Sequence, residues 1–263
     1  MSEILQSVRE GRLLHLTLNR PDKRNALNAD LCRALVETVD HASHDRSIGV
    51  ILITANGKSF CAGMDLSEVA GGVTSKQIDA LHEQLFTIYS RLEKPVVMGV
   101  HGAALGGGVG LVANAHISVC SPDAAFGLTE IRLGMWPFLI YRAVSAALGE
   151  RRTMELALTG RMFCAGDAQQ WGLVHEIAQH ADTRAMEIAR ELADASPTAI
   201  QNGLSFVHQV RGLSWEKSGE IARLVREDQF NSADFDEGVR AFLEKRRPRW
   251  PSTHSEPQKA PDT

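Results

Sequence analysis

Two stretches of this sequence could present bare peptide N–H groups to a ligand. The first is Ser59-Phe-Cys-Ala-Gly-Met-Asp-Leu66 and the second is Gly102-Ala-Ala-Leu-Gly-Gly-Gly-Val-Gly110. Each follows an apolar run with the character of a strand buried on both faces, Ile48 to Thr54 and Val96 to Val100. Glycine at a helix start lets a ligand approach the main chain. The unpaired N–H groups and the helix dipole there favour developing negative charge. Two such N–H groups converging on one oxygen make an oxyanion hole. The same spacing serves equally well for two tight packing turns, and spacing alone does not separate these readings.

The elements that must carry these loops follow from periodicity. Ile4 to Val8 and Leu13 to Leu18 flank Arg9-Glu10-Gly11-Arg12, and alternation of Leu14, Leu16 and Leu18 with His15 and Thr17 predicts a hairpin. Asn28 is placed to cap a helix burying Leu31, Leu35, Val36 and Val39. A second helix carries Ile78, Leu81, Leu85, Ile88 and Leu92 on one face, and Pro95 opens the strand before the glycine run. That run passes into a small-residue helix, followed by a strand over His116 to Cys120. From Phe138 the chain reads as helical, with one strand-like stretch at Leu173 to Ile177. Ser196-Pro197 begins a helical tail of about fifty residues. Strands alternating with helices, then helices alone, predict an α/β core over residues 1–195 and an α-helical region over 196–250. Residues 251–263, rich in Pro, Ser and charge, are expected to be disordered.

Composition removes several functions. The 263 residues are 44% hydrophobic and 23% charged, ordinary for one globular core with an appendage. A net charge of -4, with no Lys/Arg-rich segment before the tail, leaves no basic footprint for nucleic acid. Cys32, Cys61, Cys120 and Cys164 form no CxxC pair, which argues against a disulfide framework or a zinc site and fits a reducing compartment. No apolar run reaches the ~18 residues of a membrane span, and the charged start MSEILQSVREGR is unlike a secretion signal; the expectation is a cytoplasmic protein. HExxH and GxSxG are absent. Leu52 stands where a P-loop before Gly57-Lys-Ser59 needs glycine, and Leu111 stands where a dinucleotide fingerprint needs its third.

Taken together, Asn19-Arg-Pro-Asp-Lys-Arg-Asn-Ala-Leu27, FCAGMDL, HGAALGGGVGL, FGLTEIRLG and Glu237-Gly-Val-Arg-Ala-Phe-Leu-Glu-Lys-Arg246 resemble the crotonase (enoyl-CoA hydratase/isomerase) superfamily. The likeness runs from about residue 10 to 250 with the motifs in the family's order. It implies a spiral of ββα units with a C-terminal helical trimerisation region, assembled as a homotrimer or a dimer of trimers. It also implies an acyl-CoA substrate, with coenzyme A entering as part of the thioester and no separate cofactor or metal. Carried over by position, the N–H groups of Met64 and Gly107 would hold the thioester oxygen as it becomes an enolate. Ala62 would meet the adenine amino group through its carbonyl. Asp65 and Leu66 belong to the same CoA-binding stretch, and Arg24 matches a position that contacts the CoA phosphates. Phe242 and Lys245 match residues lent to a neighbouring subunit's CoA site. Arg24 and Lys245 also read as solvated surface cations.

The carboxylates set the subclass. Hydratases of this family use two glutamates, one on the glycine-run helix and one in the FGxxE segment. Here the first position is Gly110 and the second is Glu130, whose other reading is a structural partner for Arg132. Hydration benefits from two groups to position water and shuttle its proton, whereas a double-bond shift needs one base working at C2 and C4. The single glutamate therefore favours enoyl-CoA isomerisation, with hydration as the alternative. A decarboxylase or thioesterase, or a non-catalytic binding protein of the same fold, follows behind. A glutamate introduced at 110, three residues beyond Gly107, is expected to point back toward the thioester and, if the helix tolerates the added bulk, to add hydration. Trp136, Phe138 and Tyr141 stand where relatives carry small residues, and either narrow the acyl pocket or pack as core aromatics.

Overall fold

The computed structural model describes residues 3–70 and 75–253 and falls into two compact units. Unit one comprises residues up to 90 together with 95–193; unit two comprises 91–94 and the chain from 194.

Unit one opens with the hairpin β1 (Leu5–Glu10) and β2 (Leu13–Leu18), its first strand running on to Glu10 so that only Gly11 and Arg12 make the turn. Helix α1 (Ala29–His44) is capped as expected, with the Asn28 side chain accepting from the Leu31 N–H. It buries Leu31, Leu35 and Val39, while Val36 is only half-buried. Strand β3 (Val50–Ala55), helices α2 (Leu66–Ala70) and α3 (Ser75–Thr87) and strand β4 (Val96–Val100) follow. The Ile78 side chain lies outside the described residues.

Next come β5 (Ala103–Leu105), α4 (Gly107–Asn114), β6 (Ile117–Cys120) and β7 (Ala125–Gly127). After them the chain forms α5 (Phe138–Leu148), α6 (Glu150–Thr159), β8 (Met162–Cys164), α7 (Ala165–Trp171), β9 (Glu176–Ile177) and α8 (Ala181–Ala193). Strands β7 and β8, three residues each, carry too little alternation to be read from sequence; their partners across the sheet make them strands.

Six strands form one sheet in the order β1-β2-β3-β4-β6-β9, parallel except for the β1–β2 hairpin. Three form a second, β5-β7-β8. The chain visits the large sheet, then the small one, then a helix, in β4–β5–α4 and again in β6–β7 leading to α5, which is a succession of ββα units. Helix α8 covers the large sheet through Ala181, Ala185 and Ala189, packed on Leu13, Val50, Leu52, Val97 and Val119. Alanine at four-residue spacing lets the helix axis approach the strands closely.

Unit two contains α9 (Pro197–Val210), α10 (Trp215–Phe230) and α11 (Ala233–Leu243), each with a serine N-cap: Ser196, Ser214 and Ser232. Residues 251–253, expected to be disordered, instead form a turn of 3-10 helix. The Ser252 N–H and hydroxyl both donate to Asp234, and the Trp250 indole N–H donates to the Asp194 carbonyl. These anchors outweigh a Pro- and Ser-rich composition. The rest of that tail, 254–263, lies outside the described residues. Among the described residues no helix is long and apolar enough to cross a membrane.

Candidate active site

The first loop is held between two backbone neighbours. Leu27 donates to the Gly63 carbonyl (2.8 Å) and accepts from the Asp65 N–H (3.1 Å), forming a parallel bridge with Met64. In such a bridge both of Leu27's polar groups bond to the residues flanking Met64, so the N–H of Met64 points away from Leu27. On the loop's other flank, Cys61 pairs with β5: its N–H donates to Ala103 and its carbonyl accepts from Leu105. The fit is tight enough to require glycine. Gly63 has φ +86°, and a Cβ there would lie 2.8 Å from the Leu105 carbonyl oxygen and 3.5 Å from the Gly107 nitrogen. Gly63, the residue before Met64, is thereby packed against the start of α4 at Gly107.

Gly107 is the first residue of α4, so its N–H has no intrahelical acceptor. Gly106 before it has φ +49° and ψ -115°, a conformation closed to L side chains, and donates to the Gly127 carbonyl (2.9 Å). This bond continues the β5–β7 register and sets the chain after β7 beside the α4 N-terminus. There lies Glu130. A Cβ on Gly106 would sit 2.9 Å from its Oε1, so the carboxylate rests against the residue immediately before the free N–H. The Glu130 Oε2 is buried without a hydrogen-bond partner. Burial raises its pKa above the ordinary carboxylate value, and its own backbone N–H only partly offsets that. A carboxylate that is desolvated and unpaired is a stronger base than one in water. Arg132 makes no bond to it, so the ion-pair reading of Glu130 finds no support in the geometry.

The expectation for Gly110 requires correction. A Cβ at 110 would stand 2.2 Å from Ile140 Cγ2, 2.8 Å from Ile140 Cβ and 3.0 Å from the Phe86 ring. The volume into which a glutamate would project is already filled. Of the bulky residues near α5, Phe138 is largely exposed and the Trp136 and Tyr141 rings lean on each other at 6.1 Å. Ile140 is the side chain that reaches α4. Its signal was present as the i, i+4 pair Ile140 and Val144, the two buried residues of α5. Phe86 and Leu27 complete the apolar surface, 3.3 Å and 2.9 Å from where a Cβ at Gly107 would be.

Asp65, grouped at first with the CoA-binding residues, has its carboxylate fully engaged inside the protein. It accepts from Arg20 (2.9 Å) and from the N–H and hydroxyl of Ser67. Burial would raise its pKa, but the Ser67 and Arg20 bonds outweigh that and hold it low. Arg20 also donates to the Ala26 carbonyl, so one ion pair ties the Arg20–Leu27 segment to the Met64 loop. The fully buried Asn25 does the same work from the other end: its amide donates to the carbonyls of Asn56 and Ser59. Asn25 and Arg24 both have positive φ, which asparagine tolerates better than most residues; that was the legible sign. The Arg24 carbonyl accepts from the Ala62 N–H (3.0 Å), which brings these two candidates side by side, with Arg24 exposed. Leu66 is about half exposed. Phe242 and Lys245 are exposed at the end of α11 in unit two.

The open start of α4, the adjacent Met64 loop and one raised carboxylate together are suited to holding an oxyanion next to a carbon acid. The description "Enoyl-CoA hydratase/isomerase" matches residues 9–253, and the chain belongs to this family. It is 35% identical over 260 residues to the 2,3-dehydroadipyl-CoA hydratase of Escherichia coli K12, covering 94% of this chain and 98% of that protein. It is 34% identical over 256 residues to a mevalonyl-coenzyme A hydratase of Aspergillus fumigatus, covering 90% and 91%. A solved enoyl-CoA hydratase of Mycobacterium smegmatis superposes with a TM-score of 0.89 at 29% identity, covering 95% and 99%. The chain is thus an acyl-CoA enzyme with the crotonase fold.

Proposed function

We propose that this protein shifts the double bond of a 3-enoyl-CoA to the 2-position through an enolate, with Glu130 as the only acid–base group. The observation that carries this reading is the pairing of one raised carboxylate at Gly106 with a filled, apolar volume at Gly110. The thioester oxygen would lie between the N–H groups of Met64 and Gly107. Glu130 takes the C2 proton; the C–H electron pair flows toward the thioester oxygen and is held there as a dienolate. The electrons return through C2, C3 and C4 as Glu130 delivers the proton to C4, leaving the double bond between C2 and C3. Each donor in such a hole is worth ~10²–10³ in rate, because its charge stabilisation needs no rearrangement during the reaction.

Arg24, Ala62 and Leu66 would carry the CoA moiety, with Phe242 and Lys245 offered to a neighbouring copy. The apolar Phe242 and Leu243, both mostly exposed, support assembly as a homotrimer or dimer of trimers. The decisive assay compares turnover of 3-enoyl-CoA and 2-enoyl-CoA by the wild type. Faster isomerisation than hydration is expected. Hydration that keeps pace with isomerisation would overturn the reading. Hydration is the second reading because the relatives quoted above are named hydratases; water would then be positioned by something other than a side chain at 110.

A further inference from the structure

We propose that Ile140 is a specificity-determining residue: it fills the volume facing position 110 and closes that side of the reacting carbons to water. The proposal rests on the enolate reading of the site but concerns a different property of it, the access of solvent to the carbon acid.

The argument begins with the order of groups along the start of α4. Gly106 abuts the Glu130 carboxylate, Gly107 offers its N–H, and Gly110, three residues on, shares with Gly107 the side of the helix that meets the Phe86 ring. At that third position α5 inserts Ile140, itself 3% exposed, and α3 inserts the edge of the Phe86 ring. Neither carries a hydrogen-bonding group. A water there would need two or more polar partners to be held, and neither these side chains nor the absent side chain of Gly110 supplies one. The chemical consequence concerns the proton. In a dry pocket the proton taken from C2 stays on Glu130 and returns to C4 of the same molecule. If solvent reaches the protonated carboxylate, that proton exchanges before it returns.

Ile140→Ala would remove most of the side chain that meets position 110 and admit water. In D2O, the deuterium placed in the product per isomerisation turnover should rise severalfold over the wild type. Gly110→Glu alone should lower the melting temperature and gain no hydration, because Ile140 occupies the glutamate's path. Combined with Ile140→Gly, which also removes the Cβ that would stand 2.8 Å from position 110, the same glutamate should hydrate 2-enoyl-CoA at least tenfold faster than Gly110→Glu or Ile140→Ala alone.

Unchanged deuterium incorporation in Ile140→Ala would overturn the proposal. So would a Gly110→Glu single variant that folds and hydrates as well as the double variant. If the double variant does not fold, the deuterium measurement on Ile140→Ala decides. The underlying reading fails separately. A wild type that exchanges C2–H of a saturated acyl-CoA but does not isomerise sinks the isomerase assignment alone. Deuterium exchange at C2 and the hydration gain of the double variant then still decide the role of Ile140.

Discussion

Glu130 in unit one and Asp234 in unit two are both carboxylates withdrawn from water, and they have opposite chemistry. Asp234 is 2% exposed and receives the hydroxyls of Ser196, Thr198 and Ser252 and the N–H of Ser252, at 2.6–3.0 Å. Burial pushes its pKa up, but the four bonds outweigh burial and hold it below the usual range. Its neighbour Glu237 is held down to about 2, first by the two-pronged Arg246 contact and then by the Arg249 N–H. Glu130 has one buried oxygen with no donor at all, and burial wins. A charge that is fully bonded pins two segments together and cannot move a proton. A charge left unbonded costs stability and becomes a base. The same residue class is held charged in one unit and pushed toward its neutral form in the other, because the donors around Asp234 offset its burial and those around Glu130 do not.

The sharpest way to test that contrast is to neutralise each carboxylate. Glu130→Gln should cut isomerisation of 3-enoyl-CoA by ~10²–10⁴, the usual worth of a positioned general base, while CoA binding and the melting temperature hold or rise. Steady-state turnover reads the first, calorimetry the second. Asp234→Ala should do the reverse. Removing the acceptor strands three hydroxyl donors, and a loss of about 3 kcal/mol in urea unfolding is expected from such a buried network.

Asp65→Asn stands between the two, because that carboxylate is bonded like Asp234 but lies beside Met64. It should lower kcat/KM about tenfold and stability by about 2 kcal/mol, through the loosened Arg20 contact. The smallest effect is a pH signature. Glu130 binds its proton more tightly folded than unfolded, so it favours the folded state at low pH and loses that advantage as pH rises through its elevated pKa. Asp65 and Glu237 act oppositely: their contribution is present above the ordinary carboxylate range and disappears as pH falls toward their lowered values. The melting temperature of Glu130→Gln relative to wild type should therefore climb by a few degrees with pH and flatten above the folded pKa. A difference that shrinks as pH rises would show that Glu130 is paired in solution.

Much of the molecule was legible because it depends on neighbours in sequence. The Asn28 cap, the β1–β2 hairpin, the continuously buried β3 and β4 and the helical run from Ser196 each follow from residues within one or two turns of themselves. The glycine run announced a helix start open to a ligand for the same reason. What sequence could not supply was distance across the fold. Arg20 and Asp65 are 45 residues apart in the chain and meet only because the Leu27–Met64 bridge aligns their segments. The short strands β7 and β8 exist by virtue of partners, and residues 251–253 are ordered by Asp234 rather than by their own composition.

Position 110 shows the division most clearly. Sequence alone determined that the second carboxylate is missing, since glycine has no side chain to supply one. Whether the space it left is wet or filled depended on the crossing of α5 over α4, which places Ile140 against a residue thirty positions away. Side-chain identity is a local property of the chain, whereas the occupancy of a volume is set by every element that borders it.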